Sequence, residues 1–168
     1  MDQGKLEGSR VQLALNVEDI DTAVDFYSKL FATAPAKRRA GYANFAIAQP
    51  PLKLVLFEQP GKGGTINHLG VEVGSSELVG AAQARLAGEG LATATEEGVA
   101  CCYARQDKVW VDGPSGEPWE IYTVLEDVEM PGGSLRTVDP ETGAVCCAET
   151  VTAEDGTTTV KAGTSACC

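Results

Sequence analysis

The chain has 168 residues, of which 43% are hydrophobic and 22% are charged, so it can build a core and is not generally disordered. Its net charge of −11 and its pI near 4.5 disfavour binding to the phosphates of nucleic acids. No uncharged apolar run approaches the roughly 18 residues of a membrane span, and the first residues lack a signal-peptide pattern. We therefore expect a cytoplasmic protein without nucleic-acid or membrane partners.

Composition divides the chain into one domain and two polar ends. Residues 1–8 are polar and lack periodicity, which predicts a disordered arm or an expression remnant. Residues 9–126 carry the apolar patterns and are expected to form a single domain of two modules, at about 10–60 and 65–125. Residues 127–168 are acidic and rich in Gly, Thr and Ala, which predicts a mostly disordered tail.

The first module has the pattern of a strand, a helix and further strands. Apolar alternation over 11–17 predicts the first strand, and strands are also predicted at 42–48 and 52–58. Asp19 or Asp21 can cap the intervening helix. That helix has an apolar stripe formed by Ile20, Ala23, Val24, Tyr27, Leu30 and Phe31.

The second module repeats this order. A strand is predicted at 66–73, and the next helix begins after Ser75 or Ser76 and ends near Gly88 and Gly90. Leu78, Ala82 and Leu86 form its apolar positions. The remaining strands are predicted at about 91–95, 101–105, 108–112 and 119–124.

The two modules align when the first is shifted along the second. The shift places Gln12 on His68, Val17 on Val73 and Leu30 on Leu86. This internal repeat predicts an α+β fold in which two βαβββ modules form a curved sheet with a cleft. A ferredoxin-like α+β sandwich, which also reuses βα units, is the alternative.

Three polar residues on the predicted strands could hold one metal ion. Gln12 and the single histidine, His68, occupy equivalent positions and point away from the helix-facing side. Glu120 on the last strand can join them, giving O, N and O donors with vacant positions, as in a catalytic metal site. A structural role for a lone histidine is the alternative. Lys53 is expected at the place of Glu120 in the first module, which leaves one site per chain.

All six cysteines occur as adjacent pairs, namely Cys101-Cys102, Cys146-Cys147 and Cys167-Cys168. Neighbouring Cα atoms lie about 3.8 Å apart, less than the roughly 4.4–6.8 Å of most disulfides, so a bond within a pair is strained. We interpret Cys101-Cys102 as a ligand for a soft ion, provided that the segment bends, which Gly98 permits. Buried packing is the alternative there. The tail pairs indicate either sequence drift or an auxiliary thiol trap.

Four segments resemble the vicinal oxygen chelate superfamily, which includes glyoxalase I, bleomycin-resistance proteins and extradiol dioxygenases. They are VQLALNVEDIDTAVDFYSKLF, GYANFAIAQPPLKLVLFE, NHLGVEV and DGPSGEPWEIYTV, and the resemblance covers about 10–125. Within the superfamily, EEGVACCYARQDKVWV is similar to the carbon–arsenic lyase branch, whose relatives are often labelled cadmium-induced proteins.

The resemblance implies a function and a set of site residues. Enzymes of that branch use non-haem Fe(II) and O₂ to remove the organic group from trivalent organoarsenicals, such as methyl- or arylarsenites, and yield arsenite. By position, Gln12, His68 and Glu120 would be the metal ligands, and Cys101 and Cys102 would hold the substrate. Many iron members have histidine where this chain has Gln12, whose amide is a weaker, neutral donor, so other divalent metals could also load. Tyr103, Lys108 and Tyr122 are expected nearby without an assigned role.

Three alternatives to the lyase stay open. The thiol pairs could sequester Cd²⁺, Zn²⁺ or arsenite without catalysis. Another enzyme of the superfamily, such as an extradiol dioxygenase or a glyoxalase-type lyase, would have no need of paired thiols. Drug sequestration of the bleomycin-resistance kind would need no metal. The linker at 59–65 is long enough for the modules to pair within one chain, so we expect a monomer rather than a module-swapped dimer.

Overall fold

A computed structural model describes residues 8–129 completely and, beyond them, the backbone of four short strands. The predicted arm, apart from Gly8, and Cys167-Cys168 lie outside the described residues. The chain divides into two compact units, one formed by 1–95 and 107–123 and the other by 96–106 and 124–168.

The order of secondary structure is βαβββ twice, which confirms the predicted α+β fold of two repeated modules. The first module contains β1 Arg10–Val17, α1 Ile20–Phe31, β2 Lys37–Arg39, β3 Tyr42–Ile47 and β4 Leu52–Glu58. The second contains β5 Ile66–Glu72, α2 Ser76–Gly88, β6 Ala94–Cys101, β7 Ala104–Asp112 and β8 Pro118–Asp127. They are followed by β9 Arg136–Val138, β10 Val145–Cys147, β11 Thr150–Thr152 and β12 Thr158–Val160.

Several predicted strand boundaries were wrong. The sequence did not predict β2, because its Lys-Arg-Arg segment has no apolar alternation. The predicted strands at 91–95, 101–105 and 108–112 are in fact two strands, β6 and β7, separated by Cys102 and Tyr103. Both of these residues have positive φ, 54° and 62°, so two non-glycine residues form the hairpin turn and no glycine signal marked it.

The helices begin where the capping residues predicted. Asp19 caps α1, its side chain accepting a hydrogen bond from the Thr22 amide at 2.7 Å, and α2 follows Ser75. Leu30 does not belong to the buried stripe of α1, since it is 58% exposed. It lies about 100° around the helix from Phe31, toward solvent. Among the described residues, neither helix is long and apolar enough to cross a membrane.

In the first unit the strands follow the order β2-β3-β4-β1-β5-β8-β7. The pairs β1–β4 and β5–β8 are parallel, and the antiparallel pair β1–β5 joins the two modules at the centre. One core cluster, which α1 shares with the first module's strands, consists of Val17, Ile20, Val24, Ala43, Phe45, Ile47, Leu54 and Leu56. A smaller cluster around α2 consists of Val73, Val79 and Val109. Because these cores use one face of the strands, the polar residues of the other face are left to build a site.

In the second unit the described strands follow the order β8-β7-β6, and β6 and β7 form a hairpin. The amide of Val128 donates to the carbonyl of Tyr103 at 3.0 Å, next to the hairpin turn. The short strands pair as β9 with β10 and β11 with β12, both antiparallel. Cys146 and Cys147 lie on β10.

Candidate metal centre and thiol pair

The strand register of the first unit brings the three predicted metal ligands to one face. Gln12 on β1 is opposite Gly70 on β5, which is in turn opposite Glu120 on β8. His68 is opposite Ala14 in the neighbouring row, two residues from Gly70 and therefore on the same face. The alternation in the sequence predicted this placement correctly.

The functional atoms of the three side chains meet at short distances. Gln12 Nε2 lies 2.7 Å from Glu120 Oε1 and 3.0 Å from His68 Nε2, and the last two atoms are 3.4 Å apart. Donor atoms that hold an ion at about 2.1 Å and at right angles are about 3 Å apart, so these spacings fit a divalent cation. A half turn of the Gln12 amide would bring Oε1 to the position of Nε2. Within residues 8–129, no three His, Cys, Asp or Glu side chains are grouped so that they could hold a metal. The centre described here differs because its third donor is the amide of Gln12.

Each of the three side chains is held by a further residue. Lys108 Nζ donates to Glu120 Oε2 at 2.7 Å, and the ring of His68 contacts Asn67 through Nδ1 at 2.7 Å. The hydroxyl of Tyr122 donates to Gln12 Oε1. Metal ligands are commonly oriented in this way by outer partners, which fix their rotamers and their protonation.

Glu120 stays ionised although it is only 2% exposed. Burial alone would raise the pKa of its carboxyl group, but the positive charge of Lys108 and its hydrogen bond to the carboxylate outweigh this and hold the pKa well below its usual range. Burial, with the charges of Glu72 and Glu120, raises the pKa of Tyr122, which therefore keeps its proton as a hydrogen-bond donor. The centre thus offers an anionic oxygen to a cation.

A second row of charges lies beside the centre. Arg10 Nε donates to Glu72 Oε2 at 3.0 Å, and Lys53 Nζ lies 3.5 Å from the same oxygen. The hydroxyl of Tyr122 also approaches this oxygen, at 3.2 Å. Burial raises the pKa of Glu72, but the charges of Lys53 and Arg10 outweigh it, so the net shift is downward. Burial lowers the pKa of Lys53, which Glu72 only partly offsets.

Aromatic rings surround His68. The ring centroids of Phe57 and Trp110 lie 6.2 and 5.6 Å from the centroid of the imidazole, within the range of stacked and edge-to-face contacts. The ammonium of Lys108 lies 5.2 Å from the centroid of Trp110 and 5.8 Å from that of Tyr122. His68 therefore packs among rings while Nε2 faces Gln12 and Glu120.

Gly70 leaves the space that the centre occupies. A Cβ atom at this position would lie 3.0 Å from Glu120 Cγ and 3.4 Å from Gln12 Cβ. The contact with Glu120 is tighter than side chains normally allow, and the contact with Gln12 leaves no spare room, so any larger residue would push Glu120 away. The glycine is required here for close approach and not for an unusual backbone conformation.

The vicinal thiols lie at the hairpin turn of the second unit. The Sγ atoms of Cys101 and Cys102 are 3.2 Å apart, and neither cysteine forms a disulfide. Neighbouring side chains of a regular strand point to opposite faces, but β6 ends at Cys101 and the left-handed φ of Cys102 turns the chain. Gly98 does have a positive φ of 60°, yet the turn that brings the thiols together is at Cys102 itself.

A profile of the Glyoxalase/Bleomycin resistance protein/Dioxygenase superfamily matches residues 10–121. The chain belongs to this superfamily. The match covers both βαβββ modules up to the middle of β8, and therefore includes Gln12, His68 and Glu120. The family resemblance inferred from the sequence motifs is thereby confirmed.

Related proteins of known name fall into two groups. The chain is 62% identical to "Cadmium-induced protein CadI" of Mycobacterium bovis, over 83% of this chain and 93% of that protein. It is also 62% identical to the "Trivalent organoarsenical cleaving enzyme" of Thermomonospora curvata, over 72% of this chain and 81% of that protein. A solved structure, the Mn(II)-bound glyoxalase from Novosphingobium aromaticivorans, has a TM-score of 0.52 and 20% identity, and the match covers 73% of this chain and 42% of that one. This structural likeness shows the fold.

The pairing of the strands corrects one predicted correspondence between the two modules, namely which residue of the first module takes the place of Glu120. Ala14 corresponds to Gly70 when the modules are shifted by the 56 residues that separate Gln12 from His68. Gly70 is opposite Glu120, whereas Ala14 is opposite Val55. Val55, and not Lys53, therefore takes the place of Glu120, because the second module has more residues between its helix and its last strand. A valine cannot bind a metal, so the expectation of one site still has a physical basis.

Sequence reasoning missed several residues that support the site. Arg10, Glu72 and Asn67 were not singled out, and Lys108 and Tyr122 were named without a role. Arg10, Glu72 and Tyr122 are directly opposite one another in a row next to the ligands. Each lies two residues along its strand from Gln12, Gly70 or Glu120, so the same alternation could have identified them.

Proposed function

We propose that this chain cleaves the carbon–arsenic bond of trivalent organoarsenicals, in a reaction that requires Fe(II) and O₂ and releases arsenite. The observation that carries the proposal is the convergence of Gln12, His68 and Glu120 within 3.4 Å in a chain that also brings two thiols to 3.2 Å from each other. The 62% identity to a protein named for cleaving trivalent organoarsenicals supports it.

Cys101 and Cys102 would bind the substrate through its arsenic atom. A methyl- or arylarsenite carries one As–C bond and two exchangeable hydroxyl groups. Two thiols replace the two hydroxyls with release of two water molecules, and the As–C bond stays intact. Because the hairpin turn already holds both sulfurs close together, little chain entropy is lost when they bind one arsenic atom. Thiols must be reduced for this exchange, so we propose a reducing cytoplasm as the site of action.

Gln12, His68 and Glu120 would hold the metal ion through Oε1, Nε2 and Oε1. A ferrous ion held there would supply electrons for the reaction of O₂ with the organic group. Lys108 keeps the carboxylate in place through its hydrogen bond. When the Gln12 amide turns, its Nε2 would donate to the Tyr122 oxygen, and the Tyr122 hydroxyl would donate to Glu72 Oε2 instead of Gln12 Oε1. Burial of Gln12 and Glu120 excludes water from this side of the centre. Because its pKa is raised, Tyr122 stays protonated when the amide of Gln12 turns.

A turnover experiment tests the proposal. The protein would be loaded with Fe(II) without oxygen, given methylarsenite and excess thiol, and then exposed to O₂ while arsenic speciation is followed. We expect arsenite only when iron and O₂ are both present. Cys101→Ser and Cys102→Ser should each abolish turnover, and serine at Cys146, Cys147, Cys167 and Cys168 together is the matched control that should leave it intact. Full activity in both single variants would contradict the role of the thiol pair.

Binding of soft metals without catalysis is a second candidate, favoured by the identity to a protein named as cadmium-induced and by the three cysteine pairs. On this hypothesis methylarsenite binds and is recovered unchanged, and the fourfold serine variant of the tail loses most of the binding. An extradiol dioxygenase or a glyoxalase-type lyase would instead keep its activity when Cys101 and Cys102 are both replaced by serine. The monomeric state remains a prediction, to be measured by sedimentation.

A further inference from the structure

Asn67 contacts the ring of the residue that follows it. Its Oδ1 lies 2.7 Å from His68 Nδ1, although successive side chains of a regular strand point to opposite faces. The register explains the contact: Ala14 is opposite His68, but Leu15 is opposite Ile66, so Asn67 is an extra residue in β5. Such a β-bulge redirects a side chain, and bulges are frequent beside active sites.

A chain of hydrogen bonds fixes which atom of Asn67 faces the ring. Thr65 Oγ1 donates to the backbone carbonyl of Lys62 at 2.8 Å, so it accepts from Asn16 Nδ2 at 2.9 Å. Asn16 Oδ1 in turn accepts from Asn67 Nδ2 at 2.9 Å. Because a backbone carbonyl can only accept, the direction of every bond in this chain is determined. The atom of Asn67 left for His68 is the acceptor Oδ1, so the ring must donate from Nδ1.

The opposite side of the ring requires the same tautomer. Glu120 Oε1 is a carboxylate oxygen that can only accept, so the atom of Gln12 that lies 2.7 Å from it is the donor Nε2, and this same atom lies 3.0 Å from His68 Nε2. A donor next to His68 Nε2 requires a lone pair there. Asn67 and Gln12, which lie nearest to the two ring nitrogens, therefore favour an imidazole with its proton on Nδ1 and its lone pair on Nε2, whereas the acceptor Glu120 Oε1 is farther from Nε2, at 3.4 Å.

We propose that Asn67 is a positioning residue that, held by Asn16, fixes the proton of His68 on Nδ1 and leaves Nε2 as the electron-pair donor of the centre. The bulge in β5 serves this contact, since without it the amide would lie on the other face of the sheet. The tautomer is a property of the metal-free protein and stands by itself. Its use as a ligand through Nε2 rests on the proposed function.

The single histidine makes the tautomer directly measurable. A ¹⁵N-labelled protein gives one set of ring signals in a long-range ¹H–¹⁵N correlation spectrum, recorded without metal at a pH where the ring is neutral. We expect Nδ1 to resonate as a protonated nitrogen and Nε2 as an unprotonated one. Asn67→Ala should produce a mixture of the two tautomers. Asn16→Asp, which keeps an acceptor for Asn67 Nδ2, is the matched control and should leave the wild-type pattern.

Two results would overturn the inference: a wild-type ring protonated on Nε2, or an unchanged tautomer in a folded Asn67→Ala variant. The use of His68 Nε2 as a metal ligand is tested by Mn(II) binding, which is measured as the decrease of the free ion's electron paramagnetic resonance signal. We expect the affinity of Asn67→Ala to fall by about 10- to 100-fold, the usual effect of removing an outer partner of a ligand. If the tautomer is as inferred but wild-type protein binds neither Mn(II) nor Fe(II), the proposed function fails while the tautomer assignment stands.

Discussion

The ammonium group of Lys108 lies 2.7 Å from the carboxylate of Glu120, and the two side chains are only 1% and 3% exposed. A buried carboxylate with a lysine partner is stable, but either charge alone would be costly because the surroundings solvate it poorly. The pair also explains why the pKa of Glu120 is low despite burial. The negative charge that a metal requires is thus maintained by the protein before any metal binds.

We expect Lys108→Met to destabilise the metal-free protein by about 3 kcal/mol, the usual cost of removing one partner of a buried ion pair. A divalent cation can replace the lost positive charge beside Glu120, so Mn(II) should stabilise the variant more than it stabilises the wild type. Urea unfolding followed by tryptophan fluorescence, with and without Mn(II), measures both effects. Lys29→Met is the matched control, since its ion pair with Asp25 is exposed and should contribute below about 0.5 kcal/mol. Equal losses in the two variants would contradict this prediction.

Gly70→Ala should weaken metal binding more than it affects folding. The added Cβ atom would lie 3.0 Å from Glu120 Cγ and 3.1 Å from the backbone oxygen of Glu120, so Glu120 must move by a few tenths of an ångström, whereas the contact with Gln12 Cβ at 3.4 Å is an ordinary one. We expect at least about a tenfold loss of Mn(II) affinity, in line with the precision that ligand placement requires. Gly80→Ala in α2 is the control, because nothing lies within 4 Å of its added atom and alanine favours a helix by up to about 1 kcal/mol. Mn(II) affinity that is equal in the two variants would exclude the proposed crowding.

The stability of the protein should depend on pH through Glu72. Its folded-state pKa lies below the ordinary value of 4.5. Burial raises this pKa, but the charges of Lys53 and Arg10 lower it by more than burial raises it. A lowered pKa contributes stability above the unfolded pKa, and this contribution is lost as the pH falls through the folded pKa. The difference in unfolding free energy between wild type and Glu72→Gln should therefore be largest near neutral pH and shrink below about pH 4.5. Urea titrations at several pH values measure it, and a constant difference would show that Glu72 titrates alike in both states.

The repeat and the alternation of strand residues predicted the fold, with a ferredoxin-like sandwich left as the alternative, and predicted that Glu120 could lie on the same face as Gln12 and His68. Both depend on local periodicity, which a sequence displays directly. The role of Asn67 could not be predicted, because it depends on a register shift between β1 and β5 that no local pattern reveals. Lys53 was matched to Glu120 wrongly for a related reason, since loop lengths differ between the modules and only the pairing of Ala14 with Val55 reveals the offset. The turn at Cys102 was missed because its residues are not the usual turn formers.

That turn provides a further prediction, since its conformation is costly for the residues present. Cys102 and Tyr103 have φ values of 54° and 62°, and a non-glycine residue in this region costs about 1 kcal/mol or more. Tyr103→Gly should therefore raise the unfolding free energy by about 1 kcal/mol, the size of the penalty removed. Ala100→Gly, which places the same residue inside β6, is the control and should lower stability by a similar amount.

If the strained turn is retained because it aligns the thiols, the more stable Tyr103→Gly variant should gain no affinity for a trivalent arsenical. A glycine leaves the turn freer to move, so the two sulfurs at 3.2 Å lose part of their preorganisation. Titration with phenylarsine oxide, read from the decrease in free thiols, compares the variant with wild type. Tighter binding by Tyr103→Gly would show that the strain opposes arsenic binding, and the turn would then need another explanation.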